Sequence, residues 1–284
     1  ETDFSSHDRD VFLTRLHATH SKGELKGRIL LKDETIQYEA DSTLPASAYI
    51  PFLNESGIGK ALENALFHDD SSIHIKAKGT MNRHRLTQWE AEGYAKIDNF
   101  SFKGTSINSL SGYYSLSELR SDFTEIKADF NYDDYALKKA HEGPSSSSVS
   151  ASSIYLNRDE ATIKLENISG TAWPAPIVRL FVPSVADHIE KYRFHRPPNL
   201  SASGTFGLSG NKEATDFSID VSSPGSMHYD FINEPLTLSR LQSNVRILGD
   251  RVDVSSLSFY TFEGACSGNI RAYTSNPEKS GYSG

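Results

Sequence analysis

Cysteine, methionine, tryptophan and long apolar runs are all scarce in this chain of 284 residues. The single cysteine, Cys266, excludes an internal disulfide and a metal site built from several thiolates. It lies among small residues in FEGACSGNI, which favours a buried position in a strand. The sequence contains neither a run of about 18 apolar residues nor a signal peptide. The chain begins at Glu1 rather than methionine, so we expect a processed protein or a fragment, with any membrane anchor outside it.

Basic residues are in the minority. The chain has 29 Lys and Arg against 37 Asp and Glu, and both signs are spread along its length. No cluster of basic residues marks a surface for phosphates, which argues against nucleic acid as a partner and against electrostatic attachment to anionic lipid. Aromatic residues make up 11% of the chain, a content that argues against disorder.

An internal repeat is the most informative feature of the sequence. Three short anchors recur at offsets of 126, 127 and 125 residues: Asp33-Glu34 at Asp159-Glu160, Phe67-His68 at Phe194-His195, and Gly79 at Gly204. A fixed offset of this size predicts two copies of one structural unit. We place the first unit at residues 1–124 and the second at residues 125–284.

The spacing of apolar residues predicts the elements within each unit. AYIPFLNESGIGKALENALFH and APIVRLFVPSVADHIEKYRFH have apolar residues at helical spacing, which predicts a helix in each copy that ends near the Phe-His pair. DRDVFLTRLHATH and DDYALKKAHEG each begin with acidic residues, which favours a further helix in each copy. The serine-rich residues 143–153 (GPSSSSVSASS) predict a mobile loop within the second unit.

Most of the remaining sequence alternates between apolar and polar residues. Ile73, Ile75 and Ala77 alternate in this way, and so do Val245 and Ile247 ahead of a Gly-Asp turn. Such segments are typical of half-buried antiparallel strands joined by tight turns. The fold class is therefore mainly β: repeated antiparallel strands that form a curved groove or open sandwich, with short helices between the repeat units.

Histidines and acidic residues provide the few candidates for a chemical site. His17 and His20 would share one face of a helix, but no third ligand accompanies them, which favours a surface pair over a metal site. His68 and His195 recur between the copies, and we interpret them as residues that cap helix C-termini. Residues 131–134 (NYDD) lack the spaced carboxylates of a calcium loop and favour a helix N-terminus.

Signatures of catalysis are missing. The sequence shows no Gly-x-Ser-x-Gly turn around a nucleophile and no glycine loop for phosphates. We therefore predict a protein that is not an enzyme, with no catalytic residues, no metal and no cofactor. A carbohydrate-active β-sandwich enzyme would require an exposed aromatic platform with paired carboxylates, and Trp89 and Trp173 lie in unrelated segments.

The second unit carries a pattern of residue types that is similar to a known family. After a Gly-x-apolar strand, PLTLSRLQSNVRILGDRVDVSSLSFYTFEGACSGNI sets apolar residues and glycines at fixed positions: Leu236, Leu238, Leu241, Val245, Ile247, Val252, Val254, Leu257, Phe259, Gly264 and Gly268. This pattern resembles the C-terminal region of AsmA-like proteins of the TamB and YhdP type. The resemblance covers residues 200–272, with a weaker echo in residues 73–130 that lacks the paired glycines.

The resemblance implies a repeating β-groove whose units stack end to end. It also implies a periplasmic protein of diderm bacteria, anchored in the inner membrane by a segment outside this chain. Such proteins are linked to phospholipid transport towards the outer membrane and to outer-membrane integrity, and no catalytic residues carry over. The expected partners are phospholipid acyl chains and other envelope proteins.

Alternating strand positions of the second unit supply the candidate lining of the groove: Phe217, Ile219, Val221, Met227, Tyr229, Phe231, Val245, Ile247, Val252, Val254, Leu257 and Phe259. The alternative is a structural or assembly scaffold of the cell envelope, in which these faces close on each other and the outer surface binds protein partners.

Overall fold

The computed structural model describes residues 3–7, 10–53, 64–85, 87–131, 146–179, 190–208, 211–231, 234–273 and 281–283. The chain divides into two compact units, Glu1–Ala128 and Asp129–Gly284. The fold class is confirmed, because both units are built from antiparallel strands that do not close into a barrel, and two short α-helices accompany them in the described ranges.

Strands of the first unit pair in chain order. Each strand from the first to the sixth pairs antiparallel with the next one. The strands are β1 (Phe4–His7), β2 (Asp10–His20), β3 (Gly23–Lys32), β4 (Thr35–Ser42), β5 (Ala65–Asn82), β6 (Trp89–Phe102), β7 (Thr105–Ser117) and β8 (Arg120–Asn131). Helix α1 (Ala46–Leu53) connects towards β5. A Cβ added at Gly112 of β7 would have atoms of Thr124 and Ile126 as its nearest neighbours, which places β8 beside β7.

The second unit contains one long strand whose two halves pair with different strands. Its elements are β9 (Ser146–Asn157), β10 (Thr162–Thr171), α2 (Pro174–Arg179), β11 (Tyr192–Phe194), β12 (Asn199–Gly207), β13 (Asp216–Ser222), β14 (Ser226–Phe231), β15 (Glu234–Leu248), β16 (Arg251–Thr261), β17 (Gly264–Tyr273) and β18 (Gly281–Ser283). The sheet order is β9-β10-β12-β13-β15-β16-β17-β18. The first half of β15 pairs with β14, and β14 pairs with β11.

The element order supports the repeat that the sequence predicts. Asp33-Glu34 and Asp159-Glu160 both lie in turns between two paired strands, and a short helix follows the second strand in each case. These are the pairs β3–β4 with α1 and β9–β10 with α2. A hairpin followed by a helix therefore occurs twice, at nearly the offset of the sequence anchors.

The predicted helix at residues 8–20 is wrong, because residues 10–20 form β2. Leu13 and Leu16 are spaced by three, which on a helix would place them on one face. In the sheet the register with β3 shifts between these two residues, so a bulge absorbs the extra residue and keeps both on the same face. The corresponding segment DDYALKKAHEG lies outside the described residues, as do residues 132–134 of NYDD.

Two further bulges lie between apolar residues that are spaced by three. The register shifts between Leu165 and Ile168 and between Val254 and Leu257, and a residue with positive φ, Asn167 or Ser256, lies inside each step. Because side chains alternate between faces, a strand without the bulge would send one apolar residue of each pair to the charged side.

The predicted helices of the connecting segments are confirmed in part. The structure shows helix at residues 46–53 and 174–179. The positions of Ile58, Leu62, Phe181, Val185 and Ile189 lie outside the described residues. Phe67-His68 is part of β5 and His195 follows β11, so neither pair ends a helix.

The serine-rich segment is also corrected by the structure, because residues 146–153 belong to β9 rather than to a loop. Val149 and Ala151 alternate with serines, and β9 pairs with β10 along most of its length. The Oγ of Ser152 donates a hydrogen bond to the carbonyl oxygen of Glu166 at 3.0 Å. The regular partner strand outweighs the low strand propensity of serine. Residues 143–145 lie outside the described ranges.

Gly93 of β6 is required by a close approach of the backbone. A Cβ added at this residue would lie 1.8 Å from the carbonyl oxygen of Lys76 and 2.9 Å from the hydroxyl of Tyr114. The backbone oxygen cannot move without breaking the pairing between β5 and β6. The glycine therefore allows β5 and β6 to pair at this point.

Gly93→Ala is expected to lower the free energy of unfolding by about 1–3 kcal/mol, the usual cost of overpacking a filled site. Urea unfolding followed by circular dichroism measures the change. Gly264→Ala is the matched control, because the nearest atom to its added Cβ is the carbonyl oxygen of Thr261 at 3.5 Å, an ordinary contact. Equal stability of Gly93→Ala and wild type would contradict the assignment.

Candidate functional site

The sheet of the first unit has one apolar face that crosses six strands. Strand register aligns Leu13, Ile29, Tyr38, Gly79, Ala91 and Leu116 in one row. The neighbouring row on the same face contains Leu31, Ile36, Met81 and Trp89. We call these ten residues the first apolar face. All of them are half-buried, so the face keeps contact with solvent.

The hydroxyl ends of two tyrosines lie against glycines of neighbouring strands on this face. The hydroxyl of Tyr38 lies close to the position of a Cβ on Gly79 and donates to the carbonyl oxygen of Glu90 at 3.4 Å. The hydroxyl of Tyr114 crosses Gly93 in the same manner and donates to the carbonyl oxygen of Lys76 at 3.1 Å. Each hydroxyl is therefore bonded to the backbone, and each ring presents its carbon atoms to the surface.

Burial changes the ionisation of both tyrosines. Removal from water raises the pKa of Tyr38, because the phenolate is poorly solvated there. The same effect, with a smaller contribution from the neighbouring Tyr38, raises the pKa of Tyr114 to about 12. A tyrosine is neutral at physiological pH without any shift, so the raised pKa values move the ionisation of both rings to more alkaline pH.

The opposite face of the same sheet is charged. A cavity of about 900 Å³ is lined by the six residues of the first row together with their neighbours along the chain. On β2 to β7, the lining includes the residues on both sides of the apolar-face residue, such as Arg28 and Leu30 around Ile29. Because side chains alternate, these neighbours point away from the apolar face. The cavity therefore lies on the charged side, over the backbone of the apolar-face residues. Arg28, Glu39, Lys78 and Glu92 form one row across it.

Ion pairs between neighbouring strands neutralise this charged row. Arg28 pairs with Glu39, and Lys78 pairs with Glu92 at 2.7 Å. The hydrogen bond to Glu92 raises the pKa of Lys78. In the second unit Arg246 binds Asp216 through two hydrogen bonds of 3.0 and 2.9 Å, which lower the pKa of that carboxyl. The charged groups of these rows are thus paired with each other across strands.

Strand register places the described members of the candidate lining of the second unit on one sheet face. Strand register joins Phe217, Ile247 and Val252 in one row and Ile219, Val245 and Val254 in the next. Met227 and Tyr229 pair with Leu238 and Leu236, and the bulge around Arg240 carries that face on to Leu241. Val221 lies one residue before the end of β13, and Leu257 and Phe259 follow the bulge in β16. The side chain of Phe231 is not among those that the structure describes. We call Ile219, Val245, Val254 and Ile270 the second apolar face.

Burial separates these residues into a closed part and an open part. Phe217 and Met227 are 6% and 3% exposed, and the ring centroids of Phe217 and Phe206 lie 4.3 Å apart. The second apolar face is half-buried at its first three members, and Ile270 keeps 42% of its surface exposed. Ala172 and Trp173, which are 0% and 1% exposed, directly precede α2. The closed part therefore includes two of the candidate lining residues.

The histidines have other roles than the sequence predicts. His17 and His20 lie on β2, where a separation of three residues places them on opposite faces. His68 contacts the hydroxyl of Ser101 at 3.1 Å, and the His195 ring lies 4.7 Å from that of His228, so the capping interpretation is wrong. Cys266 is in a strand as predicted, but half-buried rather than buried. Within the described ranges, no group of three or more potential metal ligands is found.

Comparisons with protein-family models, with curated proteins and with solved structures give no match to this chain. Across the part of the chain that the structure describes, helices are too short or too polar to span a bilayer.

Sequence reasoning missed the first apolar face. Its rows include Gly79, Tyr38 and small alanines, which carry little hydrophobic signal one by one. The alternation of Leu116 with Ser115 and Ser117 is visible in the sequence, but Leu13 and Ile29 each have an apolar neighbour, Phe12 or Leu30. The row becomes continuous only when six strands are placed in register.

Ionisation of Tyr114 makes stability depend on alkaline pH. Because its pKa is about 12 in the folded state and about 10 in the unfolded chain, the unfolded state loses this proton first as the pH rises. The free energy of unfolding should therefore fall between pH 10 and pH 12, and it should fall less in Tyr114→Phe. Urea unfolding at pH 9 and pH 11 measures both proteins. Equal losses in the two proteins would contradict this role of Tyr114.

Proposed function

We propose that the first and second apolar faces bind lipid acyl chains, as a non-catalytic lipid-contacting β-groove module of an AsmA-like envelope protein. The single observation that carries this proposal is the half-exposed state of continuous apolar rows, such as Leu13, Ile29 and Leu116, across six strands. A contiguous apolar surface of this kind is characteristic of an interaction site. A ligand of these faces must therefore make apolar contact over a long and narrow area.

Acyl chains fit these faces better than a compact polar ligand does. The hydroxyls of Tyr38 and Tyr114 donate to backbone oxygens, so their protons are already engaged and are not offered to a polar ligand. Transfer of one methylene from water is worth about 0.8 kcal/mol, so a chain of roughly 16 carbons gains on the order of 12 kcal/mol when fully sheltered. Part of that gain suffices for useful binding, and no specific hydrogen bond is needed.

The charged faces also favour the binding of acyl chains to the apolar faces. The ion-paired row of Arg28, Glu39, Lys78 and Glu92 directs one side of the first sheet to water. Surface ion pairs add little stability, so their main effect is to keep one side hydrated. The remaining side is the natural place for an apolar ligand. In the proposed setting, the module contributes to phospholipid transport between the inner and outer membranes, within the periplasm.

A second function is favoured by the closed part of the second unit. The buried Phe217, Met227 and Trp173 are the packing expected of a scaffold with a closed β core. If that closure extended over Ile219 and Val245, the surface would bind protein partners and no lipid.

Ile219→Asp and Val245→Asp test the acyl-chain proposal. Each is expected to lower the affinity for a fluorescent fatty acid by at least about tenfold, because a carboxylate would be desolvated against the chain. Native mass spectrometry of the purified protein, with lipid extraction, should show phospholipid in wild type and none in these variants. Val245→Thr, which keeps the shape of the side chain, should reduce binding by a smaller factor.

Ser218→Asp is the matched control, because it precedes Ile219 and points to the opposite face of β13. It should bind fatty acid as wild type does. Circular dichroism must show all variants folded. Loss of binding in the control, or a wild type that takes up neither fatty acid nor vesicle lipid, would favour the closed scaffold.

A further inference from the structure

The charged side of the first unit contains more than one cavity. The cavity of about 900 Å³ is flanked by a second of about 610 Å³ and a third of about 570 Å³. The first and second cavities share the row of Arg28, Glu39, Lys78 and Glu92. The first and third share Thr80, Glu90, Ser117 and Arg120. Because successive rows follow one another along the strands, the three cavities form one trough, which we call the polar trough.

The polar trough lies on the side opposite to the first apolar face. Thr80 and Asn82, on both sides of Met81 of that face, line the third cavity. Lys76 and Lys78 line the second cavity, on the same side of the same strand. The segment of β5 from Lys76 to Asn82 therefore gives the trough a length of about 20 Å, at about 3.3 Å per residue.

Opposite charges in the polar trough are already bound to each other. The Nζ of Lys78 lies 2.7 Å from a carboxylate oxygen of Glu92, and in the next row the Nζ of Lys76 lies 3.5 Å from the carboxylate of Asp41. A ligand with a net charge would have to separate such a pair or bind beside an ion of its own sign, and both cost free energy. The trough therefore favours an uncharged ligand.

The paired groups still have hydrogen-bonding capacity. A lysine ammonium carries more than one donor hydrogen and a carboxylate has several acceptor sites, so an ion pair leaves part of both unused. A neighbouring row adds the amide of Gln37 and the hydroxyl of Thr80, and both residues are exposed. Donors and acceptors thus lie close together over the trough. A sugar hydroxyl both donates and accepts, so a carbohydrate can bind this surface without separating the ion pairs.

An aromatic pair borders the trough on the same side of the sheet. Tyr94 pairs in strand register with Lys76, which lines the second cavity, and with Tyr113 of β7. The ring centroids of the two tyrosines lie 5.3 Å apart in an edge arrangement, and Tyr113 is 50% exposed. A sugar ring presents C–H groups, and packing these against an exposed aromatic ring removes apolar surface of both from water. The tyrosines therefore offer apolar contact beside the hydrogen-bonding groups.

We propose that the polar trough binds an uncharged oligosaccharide, with one sugar ring against Tyr113 and sugar hydroxyls on Gln37, Lys78 and Glu92. The cavity of about 900 Å³ is within the size range of ligand sites. A trough of about 20 Å accommodates several linked sugar rings. This site goes beyond the acyl-chain proposal, because it uses the opposite side of the sheet and binds a ligand of another class.

Tyr113→Ala tests the proposal by affinity electrophoresis in gels that each contain a neutral glucan, mannan, galactan or xylan. Wild type should be retarded in at least one gel, and the Kd for that polysaccharide should rise about tenfold in Tyr113→Ala, because the stacking ring is lost. Tyr113→Phe keeps the ring and should migrate as wild type does. Tyr260→Ala is the matched control, since Tyr260 is 43% exposed in the second unit.

Unretarded migration of wild type in every gel would overturn the proposal, and so would equal Kd values of wild type and Tyr113→Ala. Retardation by anionic heparin alone, lost at high salt, would also overturn it, because the ligand would then be charged. Gln37→Ala removes an exposed amide and should weaken binding by a smaller factor, and circular dichroism must show all variants folded. Fatty-acid binding separates this proposal from the preceding one: Tyr113→Ala should keep it, whereas Ile219→Asp should lose it and keep retardation by the polysaccharide.

Discussion

In each unit, the alternation of side chains between the two faces of an antiparallel sheet is the constraint on which the other features depend. Every strand of the first unit from β2 to β7 carries an apolar side and a polar side. A shift of one residue would exchange the two sides completely. The bulges at Leu13–Leu16 and Val254–Leu257 correct the phase where the sequence inserts an extra residue. The rows stay continuous for this reason.

The same constraint explains which elements could be predicted. Ile73, Ile75 and Ala77 alternate strictly, and the structure places them in β5 as expected. Leu13 and Leu16 have the spacing of a helix face, and only the partner strand β3 shows that a bulge produces it. The serine-rich segment of β9 is a strand because it pairs with β10. The composition of the segment does not indicate this pairing. In β2 and β9, which the local sequence pattern predicted wrongly, the strand structure results from pairing with a neighbouring strand.

The candidate site was predictable to a similar extent. Ile219, Val245 and Val254 share a face because each alternates within its own strand, and the register then joins them. The difference between these half-buried residues and the buried Met227 was not predictable, since burial depends on what lies above the strand. For the first apolar face, the ring of Tyr38 over Gly79 supplies apolar area that neither residue indicates alone. Cross-strand contacts of this kind require the structure.

A sheet with a half-exposed apolar side gives up part of the stabilisation that a closed core provides. Burial of apolar area is the main favourable term in folding, and the first apolar face uses only some of its area. A ligand that binds this face in the native state alone adds stability by mass action, about 2.7 kcal/mol at a concentration of 100 Kd. The proposed binding of acyl chains would therefore raise stability through the residues that the open face leaves half-exposed. Charges opposite Ile29, such as Arg28 paired with Glu39, keep the other side hydrated, so this effect would act through the apolar side.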